Sequence, residues 1–415
     1  MARDAGAILV VGAGVIGLAS AFALAREGRR VLLVDRDEPG RGTSFGNAGH
    51  VATESVFPLA SPEVVRGALG YLLDRESPLR IRPGYALRIL PWLARFAWAA
   101  RAAGFARGVA AITALQATAA RDLADLLGEA RGRALLHLEG HLVLVERTAS
   151  VASARAEVDH LARHGVRANW LASAEAKALV PGLAPPIEGA WHYPDTGHVE
   201  DPYAVSQAFE RAFRAAGGEV VKAEVTAIEG RGAEFTARTA DGRAIDAMGV
   251  VLACGAWSKP LAAQMGYRVP LDTERGYHVT LPGVSPGLRL PVASFDRKAI
   301  MTPMSIGLRM TSTVEFGGLD LPPDPHRWTL IERHLKALVP SLPTEGATRW
   351  MGYRPSLPDH LPVLGRAPDG RNLFFAFGHQ HLGLTLAGVT ARIVASIVAG
   401  RDPAIDLAPF SPARF

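Results

Sequence analysis

Ile8-Leu9-Val10-Val11-Gly12-Ala13-Gly14-Val15-Ile16-Gly17 is the stretch that decides the fold of this chain. The four leading apolar residues read as a buried parallel strand, and Leu18 to Arg26 reads as a helix. Between them, Gly12, Gly14 and Gly17 form a GxGxxG turn. A second apolar run, Val31-Leu32-Leu33-Val34, ends on Asp35, close to the roughly 20-residue offset at which dinucleotide folds place a ribose-binding acid. In that pattern Gly12 allows the tight turn, Gly14 lets backbone approach a pyrophosphate, and Gly17 lets helix pack on strand. The helix N-terminus offers free N–H groups and a positive dipole end to the phosphates. Alone, GxGxxG is a weak signal; here strand, turn, helix, strand and acid arrive in order. Asp35 favours an unmodified ribose hydroxyl, hence FAD or NAD over NADP, and only the adjacent Arg36 argues otherwise. So early a motif leaves little room for a signal or transit peptide.

The chain has 415 residues, enough for two or three domains with sizeable cores. Its 48% hydrophobic and 20% charged residues exclude a disordered or low-complexity class. No run approaches the ~18 uninterrupted apolar residues of a membrane span. The single cysteine, Cys254, excludes intrachain disulfides and cysteine-cluster metal sites, and points to a reducing cytoplasm. The net charge of +5 comes from arginine, since only Lys177, Lys222, Lys259, Lys298 and Lys336 are lysines. No motif supports nucleic-acid binding.

After the opening motif, residues 40–60 form a loop of small residues. A helical stretch then spans about Pro62 to Ala130, interrupted around Ser77–Gly84. Within it, Tyr85 to Arg107 interleaves Leu90, Trp92, Leu93, Phe96, Trp98 and Phe105 with Arg88, Arg95, Arg101 and Arg107. That is a core-facing helix with solvated arginines, or a basic amphipathic helix on an anionic membrane surface. A strand Leu142–Val145, helices Val151–His164 and Ala174–Leu179, and a Pro/Gly-bounded connection Pro181–Pro194 follow. Asp201-Pro202 caps a helix Tyr203–Ala216, aspartate serving as N-cap and proline as first helical residue. Glu219–Val225 and Ala247–Ala253 return as strands. Leu271 to Phe316 is β-rich (Tyr277–Leu281, Lys298–Thr302, Gly307–Val314), and a polar helix covers Pro325–Val339. The strand Leu373–Phe377 and helix Thr385–Ala399 close the chain. The expected architecture is α/β: a Rossmann-like domain with a parallel sheet from residues 1–62, 198–262 and 348–415. The second domain, 63–197 and 263–347, carries a mixed or antiparallel sheet and helices.

With these landmarks placed, the chain resembles the D-amino acid oxidase/dehydrogenase superfamily, which includes glycine oxidase, sarcosine oxidase and bacterial D-amino acid dehydrogenase. The likeness covers nearly the whole chain. It rests on Val10–Gly17 with Asp35, Thr43-Ser44-Phe45-Gly46-Asn47-Ala48-Gly49, Val251–Trp257, Arg275-Gly276-Tyr277 and Gly307–Phe316. It continues through Gly352-Tyr353-Arg354-Pro355 with Pro358-Asp359, Pro362-Val363-Leu364-Gly365 and Gly378–Thr385. The Ser-Phe-Gly-Asn-Ala-Gly and Gly-Tyr-Arg-Pro blocks look most like the D-amino acid dehydrogenase branch. His50 and Glu54-Ser55-Val56-Phe57 are similar to bacterial D-hydroxyproline dehydrogenases.

The resemblance implies non-covalent FAD and oxidation of a C–N bond of a small D- or secondary α-amino acid, proline-like substrates first, to the imino acid. The hydride passes from Cα to flavin N5, and a quinone or O2 takes the electrons. A sarcosine- or glycine-type amine oxidase and a flavin-carrying subunit inert alone are the rival readings. The expected flavin contacts are Gly12, Ala13, Gly14, Val15, Ile16 and Gly17 at the pyrophosphate, Asp35 and Arg36 at the ribose, and Val225 at the adenine. Thr43, Ser44, Asn47, Ala48 and Gly49 belong to one isoalloxazine loop; Gly378, His379, His381, Leu382, Gly383, Leu384 and Thr385 belong to the other. Cys254, Gly255 and Trp257 line the flavin domain. Arg354 is the expected carboxylate clamp, its planar fork matching a carboxylate, with a structural ion pair to Asp359 as the alternative. Tyr277 is the expected hydroxyl partner, with His278 second. His50 faces ring or substrate, or is a local hydrogen-bonding residue, and Arg309 is a second carboxylate contact or a solvent-facing strand residue. His379 and His381 stand two apart without further ligands, so no metal is expected.

Overall fold

The computed structural model describes residues 6–73, 77–231, 234–285 and 287–415. At its centre lies the strand Ile8–Val11, paired in parallel with Val31–Asp35 on one side and Gly249–Leu252 on the other. The sheet order is Glu219–Lys222, Val31–Asp35, Ile8–Val11, Gly249–Leu252, Leu373–Phe377, Val363–Arg366, and only the last strand runs antiparallel. Such strands are buried on both faces, which is why they read as unbroken apolar runs.

The helix Val15–Arg26 is buried from Val15 through Ala25, because Pro202–Ala215 and Ala387–Val398 pack over it. Phe22 stacks on Phe209 with ring centroids 6.5 Å apart. Asp201 caps Pro202–Ala215 as expected, accepting from the Tyr203 N–H at 2.8 Å.

Opposite stands a nine-stranded mixed sheet. Its path is Thr348–Ser356, Asp272–Pro282, Gly307–Phe316, Ala299–Met304, Val292–Ser294, His141–Val145, Gly189–Tyr193, Asn169–Ala172, with Leu79–Ile81 added beside Gly307–Phe316. One face buries Tyr277, Val279, Leu281, Met301, Leu308 and Met310 against Ile331 and Leu335 of the helix Pro325–Leu338. The other face carries Glu274, Gly276, His278, Thr280 and Arg309 toward the cofactor loops, the period-2 alternation of a strand.

Several boundaries differ from the sequence reading. The connection Pro181–Pro194 contains the strand Gly189–Tyr193, and the interruption after Pro62–Leu73 contains the strand Leu79–Ile81; residues 74–76 of that expected helical stretch lie outside the described residues. Val225 does not end the strand Glu219–Lys222 but begins the next one, Val225–Arg231. The final helix starts at Ala387, so Gly383-Leu384-Thr385 is a turn leading into it.

The expected domain division also meets two exceptions. The helix Ala102–Glu129, placed with the second domain, packs in the core around the parallel sheet's helices. It approaches Ala387–Val398 so closely that a Cβ on Gly388 would sit 2.3 Å from the Asp122 carbonyl carbon, and Arg392 pairs with Asp122 at 2.8 Å. The strand Thr348–Ser356, placed with the first domain, belongs to the nine-stranded sheet.

Candidate active site

A cleft runs from the carboxyl ends of the parallel strands, where open α/β sheets bind ligands. Of the expected contacts, Gly12, Gly14, Val15, Ile16, Asp35, Arg36, Thr43, Ser44, Asn47, Val225, Cys254, Gly255, Trp257, Gly378, His379, Gly383 and Leu384 line it. Sequence reasoning missed Ala223, Glu224, Pro260, Leu261, Pro355 and Gln380, which also line it. Ala223-Glu224 and Pro260-Leu261 lie in stretches that carry no motif, while Pro355 and Gln380 stand inside the Gly-Tyr-Arg-Pro and Gly378–Thr385 blocks without having been read as cleft residues.

The backbone at the motif requires its glycines. Gly12 has φ +104°, and a Cβ there would lie 2.5 Å from the Ala253 carbonyl oxygen; one on Gly17 would lie 1.8 Å from the Gly12 carbonyl oxygen. The helix N-terminus at Gly14 has no side-chain cap of its own, and Val15 N donates to Ser44 Oγ at 2.9 Å. At the far end Asp35 accepts from Ala13 N at 2.6 Å and Asp37 N at 2.9 Å, and burial raises its carboxyl above the usual range. The Arg36 guanidinium lies 4.3 Å over the Trp257 ring, a flat cationic platform at that end. The cradle, the dipole end and the terminal acid fit an extended dinucleotide such as FAD. Cys254 is tied down, its Sγ donating to Val11 O at 3.1 Å, and burial pushes its thiol well up, so it stays protonated.

The two cofactor loops are stitched together across the chain. Ala52 N donates to Thr385 Oγ1 at 3.0 Å, Thr43 Oγ1 donates to Tyr353 O at 2.9 Å, and Gln380 N donates to Pro355 O at 3.2 Å. Gly49 N donates to Asn47 Oδ1 at 2.8 Å, closing the Ser44–Gly49 turn that also holds Ala48. Leu382 is buried in the hydrophobic core behind the second loop. Arg309 is not solvent-facing: its Nη1 donates to Asn47 O at 2.6 Å and Phe45 O at 3.3 Å, while Nε donates to Thr280 Oγ1 at 3.1 Å. His278 donates from Nδ1 to Gly46 O at 3.0 Å and stacks on Trp350. The Trp350 ring occupies the space above Gly46 and Gly352, where Cβ atoms would fall 2.1 and 1.9 Å from it. Trp350 went unread in the sequence because only its neighbours Gly352–Pro355 carry the motif.

Arg354 stands across from Glu274 in the sheet register. Its guanidinium covers Gly276: a Cβ there would sit 2.6 Å from Arg354 Cζ. Among the described residues it makes no hydrogen bond and no ion pair. The alternative partner Asp359 is taken by Arg414 at 2.7 Å. Burial pulls His381 down to about 4, helped by the Arg354 charge within electrostatic reach. His360 lies 3.5 Å from Glu274; burial pulls the imidazole down to about 3 and raises the Glu274 carboxyl, while the Arg354 charge acts to lower that carboxyl.

Tyr277 departs from expectation. Its hydroxyl donates to Glu315 Oε1 at 2.9 Å and accepts from Asp324 N at 3.0 Å, on the sheet face opposite His278. Arg275 bonds the same Glu315 oxygen at 3.2 Å. Adjacent strand residues point to opposite faces, and the face of Tyr277 is covered by Pro325–Leu338. Tyr277 therefore supports the sheet and does not reach a substrate carboxylate.

His50 begins the short strand His50–Val51 just beyond the first loop and meets Glu54 and His141. Burial pushes the His50 imidazole down to about 3 and the Glu54 carboxyl up to about 8.

Comparison with known proteins agrees with this geometry. The profile of the DAO family, described as FAD dependent oxidoreductase, matches residues 7–397. The chain is 35% identical to a D-amino-acid oxidase of Bradyrhizobium diazoefficiens over 98% of both chains. It is 34% identical to D-amino acid dehydrogenase 2 of Pseudomonas aeruginosa, again over 98% of both. The solved structure of glycine oxidase from Geobacillus kaustophilus superposes with a TM-score of 0.78 at 26% identity, covering 99% of each chain. The chain therefore belongs to the DAO family of FAD-dependent oxidoreductases.

Proposed function

We propose that this enzyme oxidises the C–N bond of small D- or secondary α-amino acids, proline-like ones first, to the imino acid. The observation that carries the reading is the Arg354 guanidinium, buried beside Gly276 with no hydrogen bond or ion pair among the described residues, Glu274 acting on it only through space. A desolvated cation so placed is destabilised until an anion arrives, and a substrate carboxylate supplies one in the bidentate geometry arginine favours. Bound FAD, held non-covalently, supplies the hydride acceptor. The chain's own task is orientation: Arg354 fixes the carboxylate, Gly276 leaves room for the fork, and Arg309, His278 and Trp350 hold the first loop in place. The D-amino-acid enzymes similar to this chain support the substrate class, and the His50 to Phe57 segment supports the proline-like preference.

An anaerobic screen tests it. Mixing the flavin-loaded enzyme with D-proline, D-hydroxyproline and other D- and L-amino acids should bleach the flavin band with the D-imino acids first. Bleaching by glycine or sarcosine alone, with peroxide formed in air, would establish the glycine-oxidase reading that the Geobacillus structure favours. No bleaching by any amino acid would leave the inert-subunit reading.

A quinone acceptor is supported by one surface feature. The helix Ala86–Ala99 buries Ile89 and Trp92 as a core-facing helix does, yet exposes Leu87 (83%), Leu90 (54%) and Trp98 (65%) beside the exposed Arg88, Arg95 and Arg101. Among the described residues no helix is long and apolar enough to cross a membrane, so the proposed contact is peripheral. Trp98→Glu should abolish flotation with anionic liposomes; unchanged flotation, or none by the parent protein, removes the idea.

A further inference from the structure

We propose that His50, Glu54 and His141 form a metal site that holds one late first-row divalent ion, of which Zn2+ is the type. One ligand atom from each residue lies within 4.8 Å of the other two. His50 Nε2 and Glu54 Oε2 are 3.8 Å apart, too far for a hydrogen bond, and neither atom has a hydrogen-bond partner though both are buried. Tetrahedral zinc, with bonds of about 2.0–2.1 Å, holds its ligand atoms roughly 3.4 Å apart, so the His50–Glu54 pair closes by a few tenths of an ångström and the widest pair by up to roughly 1.4 Å.

The third ligand is already oriented. Thr196 Oγ1 donates its only proton to Tyr193 O at 2.9 Å, so its 2.9 Å contact with His141 Nδ1 must be accepted from an Nδ1–H. That fixes the tautomer and leaves Nε2 as the lone-pair nitrogen. A histidine held by a hydrogen bond at its far nitrogen is the usual outer support of a metal ligand. The ring also stacks on Tyr193, centroids 4.9 Å apart, which restrains its tilt.

The donor set selects the ion. Two imidazoles and one carboxylate suit zinc and its neighbours over magnesium or calcium, which prefer all-oxygen shells. Three protein ligands leave one coordination position open. Glu54 has no lysine or arginine paired with it among the described residues, and a dication would neutralise its carboxylate. The ion would pin the segment after the first cofactor loop to the strand His141–Val145 of the nine-stranded sheet.

The test uses tag-free, flavin-loaded enzyme, stripped with chelator, titrated with zinc chloride and gel-filtered before elemental analysis. The expected result is one zinc retained per chain, a rise in thermal midpoint with zinc but not magnesium, and loss of that zinc in His141→Ala and Glu54→Gln at unchanged flavin content. Thr196→Val should keep the site with affinity roughly 10–100-fold weaker. No retained zinc and no thermal shift in the parent protein would overturn the proposal, as would equal retention by both ligand variants. Should the variants fail to bind flavin, X-ray absorption of the zinc-loaded parent decides: two imidazole nitrogens and an oxygen support the site, and a shell without imidazole ends it.

Discussion

The guanidinium of Arg354 rests against the backbone of Gly276, so that a β-carbon added there would lie 2.6 Å from Cζ. The clashing group is the far end of a flexible side chain, so Gly276→Ala should fold and bind FAD while displacing the fork. A misplacement near 1 Å can cost on the order of 100-fold. Steady-state kinetics should therefore show kcat/KM reduced by about 10–100-fold at unchanged flavin content. Unaltered kinetics would separate Arg354 from the substrate.

Removing the fork itself should be more severe. For Arg354→Met we expect a loss of about 2–5 kcal/mol in kcat/KM, the cost of breaking a desolvated charged pair, carried mainly by KM. Arg354→Lys should fall between, since it keeps the charge but not the planar geometry. Parallel loss of bound flavin in both variants would instead mark Arg354 as a support of the fold.

Tyr277→Phe should behave in the opposite way. It removes a donor from the buried Glu315 and an acceptor from Asp324 N. Leaving such groups unsatisfied costs about 1–3 kcal/mol, read as a lower denaturant midpoint, with KM essentially unchanged. A raised KM without loss of stability would return the hydroxyl to the substrate site.

His360 is buried, and burial, with His381 adding to it, pushes its imidazole down to about 3 against an unfolded value near 6.5. The unfolded state then binds the extra proton between those values, so its contribution is fully present above about pH 6.5 and lost as pH falls toward 3. His360 has φ +59°, a conformation asparagine tolerates, which makes His360→Asn the suitable comparison. The stability of the parent relative to this variant should grow as pH rises from 4 to 6.5 and then level off. A difference independent of pH over that range would show that His360 is not held neutral.

Much of the site was legible because it is local. Gly12, Gly14, Gly17 and Asp35 act through a turn and two adjacent strands, so their spacing alone carries the geometry, and Asp201-Pro202 caps its helix for the same reason. Tyr277 and His278 were harder to tell apart. Strand alternation says that neighbours face opposite ways, but which face meets the cofactor depends on where Pro325–Leu338 docks.

The amino-acid order by itself determined the flavin cradle, the two strand-loop-helix blocks and the arginine of Gly-Tyr-Arg-Pro, since each is a short-range pattern with one low-energy backbone solution. Only the tertiary structure decided that Arg309 braces the first loop, that Asp359 belongs to Arg414, that Ala102–Glu129 packs beside the parallel sheet, and that His50, Glu54 and His141 converge. These depend on packing between segments tens to hundreds of residues apart. Burial and sheet register set such meetings, and no spacing along the chain encodes them.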